Sequence, residues 1–384
     1  MSTPLHVEGA VRSRYSEAAR ETVQALCCPI EYDRAYLKVI PAEVIERDYG
    51  CGDPSKHLRA GETVLDLGSG TGKLCFIAAQ AVGPTGRVIG VDMNDDMLAI
   101  ARQYAPVVGN AIGFHNVEFR KGRIQDLALD LEKLDADLKA NPIRDAGTFL
   151  AAEGRAEELR ITAPLVANDS IDVVISNCVL NLVEPRAKTQ LFGEIFRVLR
   201  KGGRAVISDI VSDEMVPAEL QNDPELWSGC ISGALTEQAF IRAFVDAGFY
   251  GARILKRDPQ PWRTVRGIEF RSMTIEAFKG KQGECFERNQ AVIYKGPFQE
   301  VLDDDGHRME RGQRYAVCDK TFQLFSKAPY RDCFDFVEPH QEIPLQEAQP
   351  FARPPGQKRH PRETKGQDFS ATTEKSQCCD GGCC

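Results

Sequence analysis

The strongest constraint on this chain is a short apolar run that leads into a glycine-rich turn, Val64-Leu-Asp-Leu-Gly-Ser-Gly-Thr-Gly72. Gly68, Gly70 and Gly72 let the backbone turn sharply, and they let a ligand approach the main chain because no Cβ atom obstructs it. A helix-forming stretch begins directly afterwards at Lys73. The motif therefore predicts a strand, a ligand-binding turn and a helix, which together form the first unit of a parallel sheet.

The same alternation of β-rich and helical stretches continues along the chain, and it predicts an α/β, Rossmann-like sheet with helices on both faces. Two later β-like runs, at 252–256 and 271–278, are expected to form an antiparallel pair that closes one edge of the sheet. A charged helical insertion is expected at 126–160, before the fourth strand. The predicted parallel strands are Thr63–Leu67, Arg87–Asp92, Val117–Lys121, Ile171–Asn177 and 204–210, and the predicted helices include Lys73–Val82 and 97–104.

Composition divides the chain into four segments. We expect a helical segment with a lid at 1–60 and the sheet domain at 61–280. A small mixed C-terminal domain is predicted at 281–337. From 338 to 384 the chain is rich in Pro, Gln, Lys and Arg, and this composition predicts a disordered tail that ends in cysteine pairs.

Charge and hydropathy exclude several kinds of partner. A net charge of -8 argues against a nucleic-acid surface, which would be basic. The first twenty residues contain no apolar core of a secretory signal. No apolar run approaches the roughly 18 residues that a membrane-spanning helix needs. We therefore expect a cytoplasmic protein that binds neither nucleic acid nor membrane.

A carboxylate lies where a nucleoside ligand would need one. Asp92 ends the second predicted strand, twenty residues after Gly72, and it can accept hydrogen bonds from both ribose hydroxyls of an adenosine. Met93 would then lie against the adenine ring. A nicotinamide dinucleotide would use the same geometry, but its fingerprint requires Gly or Ala where this chain has Lys73.

Other residues around the turn favour S-adenosylmethionine over a dinucleotide. Asp66 and Ser69 are both part of the strand-and-turn motif and are expected to contact the cofactor. The Asp66 carboxylate fits a cofactor with a sulfonium group and an amino-acid tail better than it fits a pyrophosphate. Arg123 and Ile124 follow the third strand, where contacts to the adenine amino group are usual, and Asn177 is expected at the methionine end. The segments Ser176-Asn-Cys178 and Val198-Leu-Arg-Lys-Gly-Gly203 resemble the corresponding motifs of class I methyltransferases.

Cysteines are unusually frequent in this chain. Thirteen are present, and a protein without a signal peptide belongs in a reducing compartment, so free thiols are expected rather than a disulfide scaffold. Cys178 and Cys230 follow predicted strands at the edge where parallel sheets bind ligands, and Cys51 could fold over that edge as part of a lid. No histidine or glutamate base accompanies them. Three thiols near a methyl donor suit a thiophilic acceptor such as trivalent arsenic.

At these residues the chain closely resembles the arsenite methyltransferase family. The resemblance runs from about residue 10 through the C-terminal domain. Ordinary small-molecule methyltransferases lack the cysteines of the last two motifs, which makes these motifs specific. The four shared motifs are Tyr49-Gly-Cys-Gly52, Asp66-Leu-Gly-Ser-Gly-Thr-Gly72, Ser176-Asn-Cys-Val-Leu-Asn-Leu182 and Trp227-Ser-Gly-Cys-Ile-Ser-Gly-Ala-Leu235.

The resemblance implies an arsenic-detoxifying enzyme with S-adenosylmethionine as its cofactor. Cys51, Cys178 and Cys230 would bind As(III), and the family's N-terminal redox cysteine would fall at Cys27 or Cys28. Arsenite and methylarsenite would arrive as glutathione adducts. Thioredoxin or glutathione would reduce the disulfide that forms between methylation steps.

Two other interpretations remain open from the sequence. The chain could sequester metalloids on its thiols without turnover, or it could be a small-molecule methyltransferase that acts on carbon or oxygen. Free cysteines are often merely small buried hydrophobic residues. This is the expected role of Cys75 and, with less support, of Cys285, Cys318 and Cys333.

Overall fold

A computed structural model describes residues 7–19, 32–47 and 49–365. Cys27 and Cys28, the two candidates for the redox cysteine, lie outside the described residues, as do all the cysteines of the C-terminal tail. The chain forms two compact units, Met1–Gly280 and Lys281–Cys384, which are described separately below.

The first unit is built on a mixed sheet with the strand order β3-β2-β1-β4-β5-β9-β7, in which β6 also pairs with β5 and β8 with β9. Strands β1 to β5 are parallel, whereas β9 runs antiparallel to both β5 and β7. The strands are β1 Thr63–Leu67, β2 Arg87–Asp92, β3 Val117–Lys121, β4 Ile171–Asn177, β5 Leu199–Ser212, β6 Leu235–Thr236, β7 Tyr250–Arg257, β8 Arg263–Val265 and β9 Ile268–Phe278.

Helices cover both faces of this sheet. Because side chains alternate along a strand, Leu65 and Leu67 of β1 pack on one face with α8 and α11, while Val64 packs on the other with α4 and α5. The helices are α1 Val7–Ala18, α2 Arg34–Leu37, α3 Ala42–Glu46, α4 Lys73–Val82, α5 Asp95–Ile112, α6 Leu131–Ala140, α7 Ala146–Thr162, α8 Lys188–Val198, α9 Ala218–Gln221, α10 Pro224–Ser228 and α11 Glu237–Asp246.

The fold predicted from the sequence is confirmed. Strands β1 to β4 and helix α4 have the predicted bounds, and β7 and β9 form the expected antiparallel pair at the sheet edge. Helices α6 and α7 form the charged insertion before β4, where Arg155 pairs with Asp137 at 2.8 Å and Arg160 with Asp126 at 2.9 Å. Strand β5 spans Leu199–Ser212 and is therefore longer than the predicted 204–210. Near its start, the pairing with β4 shifts register between Ile171 and Val173.

No helix within the described ranges is long and apolar enough to cross a membrane.

The second unit packs small antiparallel sheets around an aromatic core that includes Tyr294, Phe322, Phe325 and Phe334. Its sheets have the orders β14-β11-β15, β12-β13 and β10-β16. The elements are β10 Phe286–Glu287, β11 Ala291–Tyr294, β12 Glu300–Leu302, β13 Arg308–Glu310, β14 Arg314–Ala316, α12 Asp319–Phe325, β15 Phe334–Val337, β16 Gln349–Pro350 and α13 Pro361–Lys365.

The start of the expected disordered tail differs in the structure. Residues 338–365 contribute β16, which pairs with β10, and helix α13. The physical reason is Arg359, which is 2% exposed and donates hydrogen bonds to the Gln290 carbonyl at 2.9 Å and to the Glu287 carboxylate at 2.6 Å. A buried, fully paired guanidinium anchors a segment whose composition is otherwise poor in apolar residues.

Candidate active site

The glycine turn and the carboxylate of Asp92 are held together by backbone hydrogen bonds. The N–H of Gly70 donates to Asp92 Oδ2 at 2.9 Å, and the N–H of Asn94 donates to Oδ1 at 2.8 Å. Burial raises the pKa of Asp92, and these backbone donors oppose the rise. Gly68 and Gly70 have φ angles of 70° and 51°, the left-handed region that glycine adopts without strain. The turn thus places a fixed carboxylate beside an exposed main chain.

An open cavity lies beside this turn, and its empty space of about 850 Å³ includes solvent at the mouth. Five residues predicted to bind the cofactor line it: Gly68, Gly70, Asp92, Met93 and Ile124. The glycines leave room at the main chain, the carboxylate suits ribose hydroxyls, and Met93 and Ile124 supply apolar surface for a flat ring. These residues fit S-adenosylmethionine.

Other residues predicted for the cofactor support the cavity from outside its wall. Asp66 is buried and accepts a hydrogen bond from the Cys75 thiol at 3.1 Å. The Cys75 thiol therefore has a polar partner, although its surroundings are apolar as expected. Ser69 is also buried, and Gly72 is the N-cap residue that precedes helix α4. None of these side chains is among those that line the described cavity.

Helix α1 forms part of the wall of this cavity through Glu8, Val11, Arg12 and Tyr15, which the sequence did not indicate. Glu8 of α1 accepts hydrogen bonds from Arg123 at 2.7 Å and from Gln125 at 2.8 Å. Arg123 is therefore occupied by an ion pair. At the same helix, Asn94 donates to the Arg12 carbonyl at 3.2 Å. These contacts join residues that are far apart in the chain, and no local sequence pattern predicts them.

Asn177 binds the segment that carries Cys51. Its Oδ1 accepts the N–H groups of Cys51 at 2.8 Å and Gly52 at 3.0 Å, and its Nδ2 donates to the Gly52 carbonyl at 2.7 Å. The amide is thus engaged by the Cys51 segment, and its expected contact with the methionine end of the cofactor stays a prediction. Asn177 fixes Cys51 at the carboxyl end of β4, where the sheet collects ligands.

The glycines that flank Cys51 are required by this close approach. A Cβ atom on Gly50 would lie 2.3 Å from Asn177 Nδ2, and one on Gly52 would lie 2.5 Å from Ser208 Oγ. The main chain of the Gly-Cys-Gly motif therefore packs directly against Asn177 at the end of β4 and against Ser208, its neighbour in β5.

The three cysteines converge, although not all of them as free thiols. Cys51, Cys178 and Cys230 are all buried in one apolar cluster with Trp227 and Phe270. Cys51 and Cys178 form a disulfide with a Cα–Cα separation of 5.8 Å, so the expectation of three free thiols is wrong for this state. Their backbones are within the range that a disulfide can bridge.

Cys178 and Cys230 also share an unusual backbone. Their φ angles are 60° and 61°, in the left-handed region that residues with a Cβ atom rarely adopt. The thiol of Cys230 lies 3.1 Å from the Cys178 carbonyl, to which it donates. Strained non-glycine residues cluster at functional sites, and Cys178 also lines the cofactor cavity. The cysteine cluster and the cofactor cavity therefore adjoin at Cys178.

A buried carboxylate near the sulfurs escaped the sequence analysis. An oxygen of Asp209 lies within 4.8 Å of the sulfurs of Cys51 and Cys178. Burial raises the pKa of Asp209 to about 6, and Lys188 opposes this rise. Burial also lowers the pKa of Lys188 itself, to about 8. The sequence feature that could have indicated this buried carboxylate is an aspartate within the largely apolar β5 segment, Ile207-Ser-Asp-Ile-Val211.

The parallel sheet with its antiparallel β9, the glycine turn and the buried carboxylate of Asp92 have the arrangement of a class I methyltransferase. In agreement, residues 58–248 match the family model described as a methyltransferase domain. Residues 281–369 match a domain of unknown function.

The chain belongs to the arsenite methyltransferase family. It is 32% identical over 327 residues to the arsenite methyltransferase of Aquipseudomonas alcaligenes, covering 81% of this chain and 84% of the relative. It is 28% identical over 313 residues to the human arsenite methyltransferase, covering 78% and 74%. The crystal structure of an arsenic(III) S-adenosylmethionine methyltransferase from Chlamydomonas reinhardtii superposes with a TM-score of 0.54 at 28% identity, over 82% of this chain and 99% of that one.

We expect Asp92→Ala to weaken cofactor binding. The variant loses charged acceptors for the ribose hydroxyls, at a cost of about 1.5–3 kcal/mol, or roughly ten- to a hundredfold in affinity. Isothermal titration calorimetry with S-adenosylmethionine measures this change. Arsenite binding to the reduced thiols should remain close to that of the unmodified protein. An unchanged cofactor affinity would remove Asp92 from the cofactor site.

Proposed function

We propose that this chain methylates trivalent arsenic bound by Cys51, Cys178 and Cys230, with S-adenosylmethionine as the methyl donor. The observation that carries the proposal is the position of Cys178, which lines the cofactor cavity and is bonded to Cys51, while the Cys230 thiol contacts its carbonyl. The names of the relatives agree with this substrate. Such an activity would serve arsenic detoxification.

Substrate binding is a ligand exchange on arsenic. Arsenite and methylarsenite arrive as glutathione adducts, and each protein thiol that bonds to arsenic releases one glutathione thiol. Inorganic As(III) has three exchangeable positions, which match the three cysteines. Thiolate sulfur is a soft ligand suited to this centre, and the apolar cluster around the cysteines excludes competing water.

The methyl transfer then requires orientation more than acid–base chemistry. S-adenosylmethionine supplies an electrophilic methyl group on a positively charged sulfur. The arsenic lone pair carries no proton, so no general base has to remove one. The chain's contribution is to hold arsenic on Cys178 at the cavity wall. This fixed orientation lowers the entropic cost of bringing the arsenic lone pair and the methyl group together.

Reduction follows methylation. Loss of the lone pair to the new As–C bond leaves pentavalent arsenic, and two cysteine thiolates return two electrons as they join in a disulfide. The Cys51–Cys178 disulfide supports this assignment, because it places that pair in the oxidised state that such a step would leave. We further propose that Cys27 or Cys28 takes part in the exchange and that thioredoxin or glutathione restores the thiols.

Protein isolated with the Cys51–Cys178 disulfide intact should produce no methylated arsenic from arsenite and S-adenosylmethionine until a thiol reductant is added, because two of the three arsenic ligands are bonded to each other. Arsenic speciation by chromatography and mass spectrometry, with and without thioredoxin and its reductase, tests this. Methylation at an equal rate without any reductant would contradict the proposal. Arsenite binding without any methylated product would indicate sequestration instead.

A further inference from the structure

The segment that follows Cys178 and the segment that carries Cys230 are joined by the side chain of Asn181, which is only 3% exposed. Its Nδ2 donates to the Cys230 carbonyl at 3.3 Å and to the Ile210 carbonyl at 2.6 Å. Both N–H bonds of the amide group are thereby used. Asn181 lies three positions after Cys178, so a single side chain connects the two cysteine segments to each other and to β5.

A buried lysine fixes the orientation of this amide. Lys188 of helix α8 is 7% exposed, and its Nζ donates to Asn181 Oδ1 at 3.4 Å and to the Gly233 carbonyl at 2.6 Å. Because an ammonium group only donates, it selects the oxygen of the amide over the nitrogen. Gly233 lies three positions after Cys230. Lys188 therefore ties together the same two segments that Asn181 joins.

The main chains of the two segments also pack closely. A Cβ atom on Gly233 would lie 1.9 Å from the Asn181 carbonyl oxygen, so only glycine allows this approach. From β5, the Asp209 carboxylate accepts the N–H groups of Leu180 at 2.9 Å and Asn181 at 3.3 Å. The segment after Cys178 is therefore held from two sides by hydrogen bonds that do not involve any thiol.

We propose that Asn181 is a positioning residue of the arsenic site: its amide sets the separation of the Cys178 and Cys230 thiols, and Lys188 holds the amide in place. An arsenic centre with two exchangeable positions needs two sulfurs at a fixed spacing. When the protein fixes this spacing in advance, the second As–S bond forms without the cost of ordering a mobile segment. The assignment rests on the proposed function, because it concerns the same cysteines.

The test uses the full chain with Cys51→Ser, reduced with a phosphine, so that Cys178 and Cys230 are the remaining thiols of the site. The probe is phenylarsine oxide, whose arsenic stays trivalent and forms two As–S bonds while its oxygen leaves as water with both thiol protons. Trypsin releases Cys178 in the peptide 161–186 and Cys230 in the peptide 205–242. Mass spectrometry of the bridged peptides against probe concentration gives the affinity. Adding Asn181→Ala should lower it about tenfold, because the thiols lose their fixed spacing.

Two further measurements separate positioning from a general loss of structure. Cys75 lies in the sheet core and is 0% exposed, so its alkylation by iodoacetamide reports unfolding and should stay as slow as in the parent protein. The affinity for S-adenosylmethionine, measured by calorimetry, should also be unchanged. Asn222→Ala is the matched control, since the Asn222 amide donates to the Ala218 carbonyl of the adjoining helix α9. This control should leave arsenic capture unchanged.

Lys188→Met tests the second part of the proposal, and it serves in place of Asn181→Ala where that variant does not fold. Methionine is a flexible apolar side chain of similar length, so it fills the space but no longer orients the Asn181 amide. We expect an arsenic affinity about threefold lower, the effect of one lost hydrogen bond. Normal capture by the folded variants, or a loss matched by faster Cys75 alkylation, would overturn the positioning role alone. Absence of the bridge in the Cys51→Ser parent would refute the proposed arsenic site and the positioning role with it.

Discussion

Replacing Cys178 with serine should abolish methylation of both arsenite and methylarsenite. Cys178 lines the cavity beside the glycine turn, and in the proposed mechanism it is the ligand that places arsenic next to the methyl donor. A serine hydroxyl is a hard, weakly acidic ligand that holds arsenic poorly. With one chelating bond lost, we expect arsenic affinity to fall by about a hundredfold or more, and turnover to fall further because the remaining thiols do not position the substrate.

The measurement is arsenic speciation over time for each substrate, with calorimetry of S-adenosylmethionine binding on the same preparation. Cofactor affinity should stay close to that of the unmodified protein, because Asp92 and the glycine turn are untouched. Cys333→Ser provides the matched control, since it removes a thiol of the second unit. Full activity of Cys178→Ser on either substrate would refute the arsenic site.

The sheet was predictable because its signals are local. Strands β1, β2 and β4 are largely apolar, whereas β3 alternates apolar and charged residues, and each of the four ends at or just before a glycine, aspartate or asparagine. The structure gives all four the predicted bounds. The cofactor turn followed from the spacing of Gly68, Gly70 and Asp92 in the same way. The cysteines were recognisable because each is part of a motif that resembles the arsenite methyltransferase family, such as the Gly-Cys-Gly that packs against Asn177 and Ser208.

What escaped prediction depends on contacts between distant parts of the chain. The pairing of Glu8 with Arg123 joins α1 to the loop after β3, and nothing near either residue indicates it. Asp209 and Lys188 are charged residues that are buried by the packing of β5 and α8, and a local sequence pattern does not predict this burial. Arg359 likewise orders residues 338–365 through partners about seventy positions away. Composition alone does not encode such partners.

Cys51→Ser should separate the two substrates. Inorganic As(III) uses three thiolate ligands, whereas methylarsenite has only two exchangeable positions because the third is already occupied by carbon. Cys178 and Cys230 remain in the variant and can hold the second substrate. We therefore expect arsenite turnover to be lost and methylarsenite turnover to remain measurable, with glutathione in the assay supplying the reducing equivalents that Cys51 no longer provides.

Several features of the structure make this comparison informative. Cys51 comes from the segment that Asn177 binds through backbone N–H groups, so its side chain can change while those hydrogen bonds persist. Cys178 and Cys230 have left-handed backbones, at φ angles of 60° and 61°, and their N–H groups donate to the carbonyls of Ser208 at 2.9 Å and Trp227 at 3.0 Å. Initial rates on both substrates, with Cys230→Ser as the variant that should lose both, complete the experiment. Equal losses on the two substrates in Cys51→Ser would show that Cys51 is needed beyond its role as a third ligand, and the three-thiol model would then be wrong.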